Sequence, residues 1–245
     1  SLLCHISGNT ITDCKRGIWG TTWHNFPVLK INENSITSNV YGIFLESSDS
    51  DADDWENITA EIHQNNIFDN DDYGLYVRRS KGGCKDVVNA TNNWWGTTRM
   101  DSVAREQIYD NSDNKHSSLV EFVPYLDGYG GSSTHGNYIQ GWIENRQIST
   151  GDYIMVGHTY VEGELTIAPG TNIKVAGKYK LENRGLLNVN GISDSKVTFT
   201  SARKDPQPGD WEGIRFERPC DKYESQIKHT VIQYAKDGVY LNKLR

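Results

Sequence analysis

The chain has 245 residues, 36% of them hydrophobic, with 25 Lys and Arg against 32 Asp and Glu, a net charge of −7 and a mean hydropathy of −0.65. That length suits one or two domains with a sizeable core, but the chain is polar, and no run approaches the roughly 18 apolar residues of a membrane-crossing helix. The basic residues are scattered rather than gathered into a nucleic-acid footprint, and Ser1-Leu2-Leu3-Cys4-His5 lacks the charged region and apolar core of a signal peptide.

A short phrase recurs along the chain. Asn9-Thr10-Ile11 is followed by Gly17-Ile18, Asn34-Ser35-Ile36 by Gly42-Ile43, and Asn65-Asn66-Ile67 by Gly74-Leu75. Val231-Ile232, without the Asn, is followed by Gly238-Val239. Between copies, apolar and polar residues alternate for three to five positions, as in Leu29-Lys30-Ile31-Asn32 and Leu75-Tyr76-Val77. Alternation, a corner, then alternation again predicts a coil of short strands. A unit of this length cannot bury its apolar face alone, so successive coils stack. Each strand then pairs in parallel with the next, about 4.8 Å away. Corner asparagines are expected to stack on one another, and each Gly to supply either a positive φ or a close backbone approach.

Further along the first block, Asp49, Asp51 and Asp53 are spaced i, i+2, i+4 in an acidic loop. That spacing can wrap oxygen ligands around Ca²⁺. With no Gly at the sixth place and no Glu at the twelfth it is not an EF-hand loop, and a solvated loop is the plainer reading. Asp69, Asp71 and Asp72 follow Ile67-Phe68 where the coil turns, and read as a corner. Arg78, Arg79 and Lys81 follow a strand directly and read as a solvated edge. Asn57 and Asn89 each open an N-x-Thr triplet that fits a glycosylation acceptor.

Aromatic residues crowd this block: Trp19, Trp23, Tyr41, Phe44, Trp55, Tyr73, Tyr76, Trp94 and Trp95. Sugar rings stack on exposed Trp and Tyr, which makes Trp19, Trp23 and Trp55 the candidate carbohydrate contacts. Trp94 and Trp95 are read as a plug for the core. Cys4, Cys14, Cys84 and Cys220 have no metal-ligand spacing. Cys4 and Cys14 either bond across adjacent strand segments in an oxidising compartment or remain buried thiols.

Residues 102–108 allow one short helix, and Leu119 to Leu126, carrying Pro124, suits a final edge strand. The Gly- and Ser-rich stretch 128–136 reads as a flexible linker between a first block, 1–127, and a second, 137–245. Beyond it, short strands are expected at Trp142-Ile143, Ile154-Met155-Val156, Tyr160-Val161 and Leu165-Thr166-Ile167. Others follow at Ile173-Lys174-Val175, Leu186-Leu187-Asn188-Val189, Val197-Thr198-Phe199-Thr200 and Gly213-Ile214-Arg215-Phe216.

The repeated phrase resembles that of right-handed parallel β-helix proteins, the superfamily of carbohydrate-binding proteins and sugar hydrolases. Asn92-Asn93-Trp94-Trp95-Gly96-Thr97, with Val120, Phe122, Pro124 and Leu126 after it, resembles the closing segment of bacterial and archaeal surface β-helix domains. Leu165 to Thr171 with Ile173-Lys174-Val175, and Gly209 to Ile214, resemble an opening segment. The resemblance implies an all-β fold, a right-handed parallel β-helix in two blocks, the first ending in a closing segment and the second starting with an opening one.

It also implies an extracellular structural or adhesive surface protein, a component of a surface layer, sheath or filament, whose partners are glycans or other surface proteins. Head-to-tail self-association through the coil ends is a further partner reading, against a fragment of a longer chain. No cofactor is expected, apart from Ca²⁺ on the acidic loop. Two alternatives stand beside this. One is a polysaccharide lyase or glycoside hydrolase of this fold, with Asp51, Asp69 and Asp72 as carboxylates and Arg78 beside them. The other is a non-catalytic carbohydrate-binding module. The paired Asp, Gly-His-Gly and Arg-Ile-Lys pattern of polygalacturonase-type enzymes is not matched by Gly157-His158-Thr159 or Gly213-Ile214-Arg215.

Overall fold

The computed structural model describes residues 4–22, 29–47, 60–79, 87–217 and 223–242. They form two compact units, Ser1–His135 and Gly136–Arg245. The first unit is laid down in circuits of three strands: β1 (Cys4–Ser7), β2 (Thr10–Ile11) and β3 (Arg16–Thr22), then β4 (Leu29–Asn32), β5 (Ser35–Thr37) and β6 (Tyr41–Ser47), then β7 (Ala60–His63), β8 (Asn66–Phe68) and β9 (Tyr73–Arg79). After β10 (Val87–Asn89) come a short helix, α1 (Met100–Ser102), a π-helical turn (Val103–Gln107), β11 (Ile108–Tyr109) and β12 (Leu119–Glu121).

Each circuit adds one parallel strand to each of three sheets: β1-β4-β7-β10-β12, β2-β5-β8 and β3-β6-β9-β11. Asn34 and Asn65 therefore lie one layer apart, as the repeat predicts. The architecture is all-β with parallel sheets, compatible with a β-helix-like arrangement.

Period-two alternation decides what lies inside. Ile31 and Ile62 pair in the first sheet, Ile36 and Ile67 in the second, and Ile43, Leu75 and Ile108 in the third. All are buried. Two corners of each circuit lie among the described residues, and both use a left-handed backbone. Gly8, Glu33, Gln64 and Asn92 hold it at the first corner, and Asp13, Ser38 and Asp69 at the second. The residue after each corner is the one that stacks. Asn9, Asn34, Asn65 and Asn93 form a four-rung ladder, in which each Oδ1 accepts the backbone N–H and the Nδ2 of the rung before it at 2.9–3.0 Å. Asn39 and Asn70 form a second, shorter ladder with the same geometry, and Cys14 donates its N–H to Asn39 at 3.0 Å.

The repeat's glycines serve close approach rather than positive φ. A Cβ on Gly17 would lie 2.6 Å from the Gly42 carbonyl oxygen, and one on Gly42 the same distance from that of Gly74. Positive φ falls to the corner residues instead.

The structure departs from sequence expectation in three places. The stretch 128–136 is not an open linker. Leu126 bridges Ser133 antiparallel, Asp127 Oδ1 accepts the Ser132 N–H at 2.8 Å, and Gly130 donates to Asn66 at 3.1 Å. These bonds fold the segment back on the first unit, which extends to His135. Cys4 and Cys14 are free and exposed, neither bonded nor buried. Cys4 opens β1 on the first sheet while Cys14 lies beyond β2 at the second corner, so the circuit holds them on different faces.

The third departure lies in the second unit. The strands expected at 154–156, 160–161 and 165–167 are one continuous strand, β14 (Asp152–Ile167), preceded by β13 (Tyr138–Ile148). β14 rounds its corners without interruption and pairs by its three parts with β15 (Asn172–Val175), β16 (Lys180–Asn183) and β17 (Leu186–Asn190). β18 (Val197–Ser201), β19 (Gly213–Phe216) and β20 (Gln226–Lys228) form the next layer, and β21 (Thr230–Ile232) and β22 (Val239–Leu241) lie on β18 and β19.

Candidate functional site

The outward face of β3, β6, β9 and β11 carries the densest chemistry in the first unit. Its inward residues are Ile18, Ile43, Leu75 and Ile108, so the residues between them point out. The parallel register aligns Trp19, Phe44, Tyr76 and Tyr109 in one column and Arg16, Tyr41 and Tyr73 in the next. Phe44 and Tyr76 stack with centroids 4.9 Å apart, and Tyr76 and Tyr109 at 4.3 Å, with interplanar angles of 10° and 11°. Tyr41 stands edge-on to Phe44 and Tyr76, and Tyr73 edge-on to Tyr109. The Arg16 guanidinium lies 4.3 Å from the Trp19 ring centre and 4.5 Å from that of Phe44. Glu46 accepts the Trp19 indole N–H at 3.2 Å and pairs with Arg78 at 2.6 Å.

The electrostatics follow from this packing. The Asp72 carboxylate beside the Tyr41 hydroxyl, through hydrogen bonding first and then burial, raises that phenol above its usual range. Burial does the same for Tyr73 and Tyr76. Tyr41, Tyr73 and Tyr76 therefore stay neutral at physiological pH. Beside it, a polar cleft of about 420 Å³ is lined by Asn70, Asp71, Asp72, Tyr73, Arg105, Glu106 and Gln107.

Ring geometry limits what this face can bind. A sugar stacks on the flat of an aromatic ring, but the flats of Phe44, Tyr76 and Tyr109 lie against one another. Phe44 is itself buried. Trp19, 55% exposed, is the ring with free area, and Arg16 lies over its indole.

Among the described candidate catalytic residues, Asp72 and Arg78 are not brought together. Asp69 holds the left-handed second corner, at φ 52°, and its carbonyl accepts the Ser38 N–H. Asp72 and Arg78 flank opposite ends of β9; an extended strand of six steps separates them by about 20 Å. Arg78 is paired with Glu46. Asn89, in β10, accepts from the Thr91 N–H and hydroxyl. Trp95 is buried under Gly74, as a core plug should be. Trp23, Asp49, Asp51, Asp53, Trp55 and Asn57 lie outside the described residues. Among the described residues, no three His, Cys, Asp or Glu side chains gather as a metal site, and no helix is long and apolar enough to cross a membrane.

Sequence reasoning missed Arg16, Glu46 and Tyr109 as members of this face, although for Arg16 the signal was present. The second residue after each repeat glycine is Trp19, Phe44 and Tyr76, and the residue before it is Arg16, Tyr41 and Tyr73. Reading the repeat in phase yields both columns as far as Tyr76 and Tyr73, while Tyr109 joins only through the register of β11 with β9.

The second unit carries a related outward column of Trp142, Tyr160, Glu182, Arg215 and Tyr240. Trp142 stacks on Tyr160 at 4.2 Å, and Glu182, nearly fully buried, is paired with Lys180 and Arg184. Against burial, the charges of those two cations hold the Glu182 carboxyl below its usual range. The neighbouring His158 is lowered to about 4, chiefly by burial.

Comparison of the chain with models of protein families, with curated proteins and with solved structures gives no match.

Proposed function

We propose that the chain is a right-handed parallel β-helix in two blocks that serves at the cell exterior as a structural or adhesive element, touching glycans or other surface proteins. The observation that carries this reading is the use of the outward face. Its ring flats stack on each other along the coil axis and its charges pair across neighbouring strands, so the face holds the stack together laterally. An enzyme's reacting groups must instead converge on a substrate. Asp69 and Asp72, the described carboxylates suited to that role, serve a corner and the aromatic ladder. Incubation with neutral and acidic polysaccharides, followed by chain-length analysis, tests the reading. Unchanged chain length is the expected outcome. Shortening that Asp72→Asn abolishes would overturn it in favour of a hydrolase or lyase.

The exposed Trp19, flanked by Arg16 and Glu46, favours a second reading in which the first unit contacts an acidic glycan at one end of the ladder. Retardation of the chain in polysaccharide-containing gels, removed by Trp19→Ala, is the result this reading requires.

A further inference from the structure

The third sheet of the first unit holds two tyrosines in a geometry that its other tyrosines lack. β11 pairs with β9 in parallel, and the register sets Tyr109 directly beside Tyr76. Neighbouring strands run about 4.8 Å apart. The two rings fill that spacing face to face, with centroids 4.3 Å apart and planes 11° from parallel. The Tyr109 hydroxyl acts on that of Tyr76 through charge and hydrogen bonding. Both rings therefore point the same way, and the carbons flanking each hydroxyl lie against their counterparts.

The other tyrosines of the face meet this pair at an angle. Tyr73 is inclined 66° to Tyr109 and 56° to Tyr76, and Tyr41 is inclined 67° to Tyr76. The second flat of Tyr76 is covered by Phe44, which carries no hydroxyl. Tyr76 and Tyr109 are both partly exposed.

We propose that Tyr76 and Tyr109 form a site of oxidative cross-linking, at which a one-electron oxidant joins the two stacked rings through a carbon–carbon bond between β9 and β11. The oxidant takes one electron from each phenol, and each hydroxyl proton leaves to water. The unpaired spin of each phenoxyl radical spreads to the carbons beside its oxygen. One such carbon from each ring enters the new bond, and the hydrogen it carried is replaced by one on the ring oxygen, which restores both phenols. With a haem peroxidase as the oxidant, one hydrogen peroxide and two phenols give one biphenol and two waters.

Stacking supplies what free tyrosines lack. Radicals in solution couple only on encounter, whereas groups held side by side react without that search. It also selects the partner, since Tyr41 and Tyr73 do not lay their reacting carbons along those of Tyr76 or Tyr109. The bond locks the register of two neighbouring parallel strands, and a link that closes a loop restricts the unfolded chain. It needs one unit and no second copy.

The test treats the 245-residue chain at high dilution, which suppresses links between copies, with a haem peroxidase and hydrogen peroxide. Treatment continues until Tyr129, 65% exposed, is oxidised, so that the oxidant is known to have acted. The expected product is a monomeric chain lighter by two hydrogens, with the blue fluorescence of linked tyrosines. Its digest should contain one cross-linked peptide pair, carrying Tyr76 and Tyr109. Tyr109→Phe keeps the ring and removes the phenol, and should lower the yield of the link within the chain at least about tenfold. Tyr41→Phe and Tyr73→Phe should leave that yield unchanged. Oxidised Tyr129 without a link inside the chain overturns the proposal. So does a link that maps to another pair, or a yield that Tyr109→Phe does not diminish.

Discussion

A single asparagine shows how much each rung holds. Asn65 is fully buried, and its Nδ2 donates to the carbonyls of Ile31 and His63 and to Asn93 Oδ1, while its Oδ1 accepts from Asn34 twice. Asn65→Ala strands several of these groups without water, and each buried unsatisfied group costs about 1–3 kcal/mol. The expected loss is at least ~3 kcal/mol by urea unfolding, a large part of a typical domain's stability. Asn9→Ala, at the exposed end of the ladder, should lose under ~1 kcal/mol. Equal losses at the two positions would refute the ladder as the main support of the corner. The Asn9, Asn34 and Asn65 rungs were legible in the sequence because they share a phrase. Asn39 and Asn70 were not, because nothing marks a residue five positions later until the coil is closed.

At the scale of the element, the third sheet is braced from outside as well as from within. Tyr76 touches Phe44, Tyr109, Tyr41 and Tyr73. Truncating a packed aromatic ring typically costs about 3–5 kcal/mol when buried; Tyr76 is only partly covered, so Tyr76→Ala is expected to lose ~2–3 kcal/mol in thermal or urea unfolding. Trp19→Ala should lose under ~1 kcal/mol, since more than half of that ring is already in water. The reverse order would mean that Trp19, rather than the inner rungs, anchors the face. The presence of these aromatics was plain from composition. Their stacking was not, because it depends on register between strands more than twenty residues apart.

At the scale of the whole molecule, the two units answer pH with opposite sign. In the first, Asp110 is fully buried and accepts from the Ser112 and Val120 N–H groups, and burial outweighs those bonds to push it up to about 6. The folded unit therefore holds a proton that the unfolded chain has released. Its contribution is complete below about pH 4 and declines as pH rises to about 6. In the second unit His158 is held neutral down to about pH 4. There the unfolded chain binds the extra proton, so stability grows as pH rises from about 4 to about 6.5. Hydrogen exchange resolved by unit should show the first unit losing protection across that window and the second gaining it. Parallel responses, or changes that survive both Asp110→Asn and His158→Gln, would contradict the assignment.

The sequence by itself determined phase. A side-chain period of two and the shared Asn-x-Ile phrase recur along the chain, so columns such as Ile36 with Ile67 are legible from the order of residues alone. Only the tertiary structure decided what each column meets. Whether aspartates converge or occupy corners, whether rings offer flats or edges, and whether 128–136 hangs free or folds back all depend on groups far away in the chain. Local patterning selects a strand and its inner face, but the partner across a stacked layer is chosen only when the coil closes.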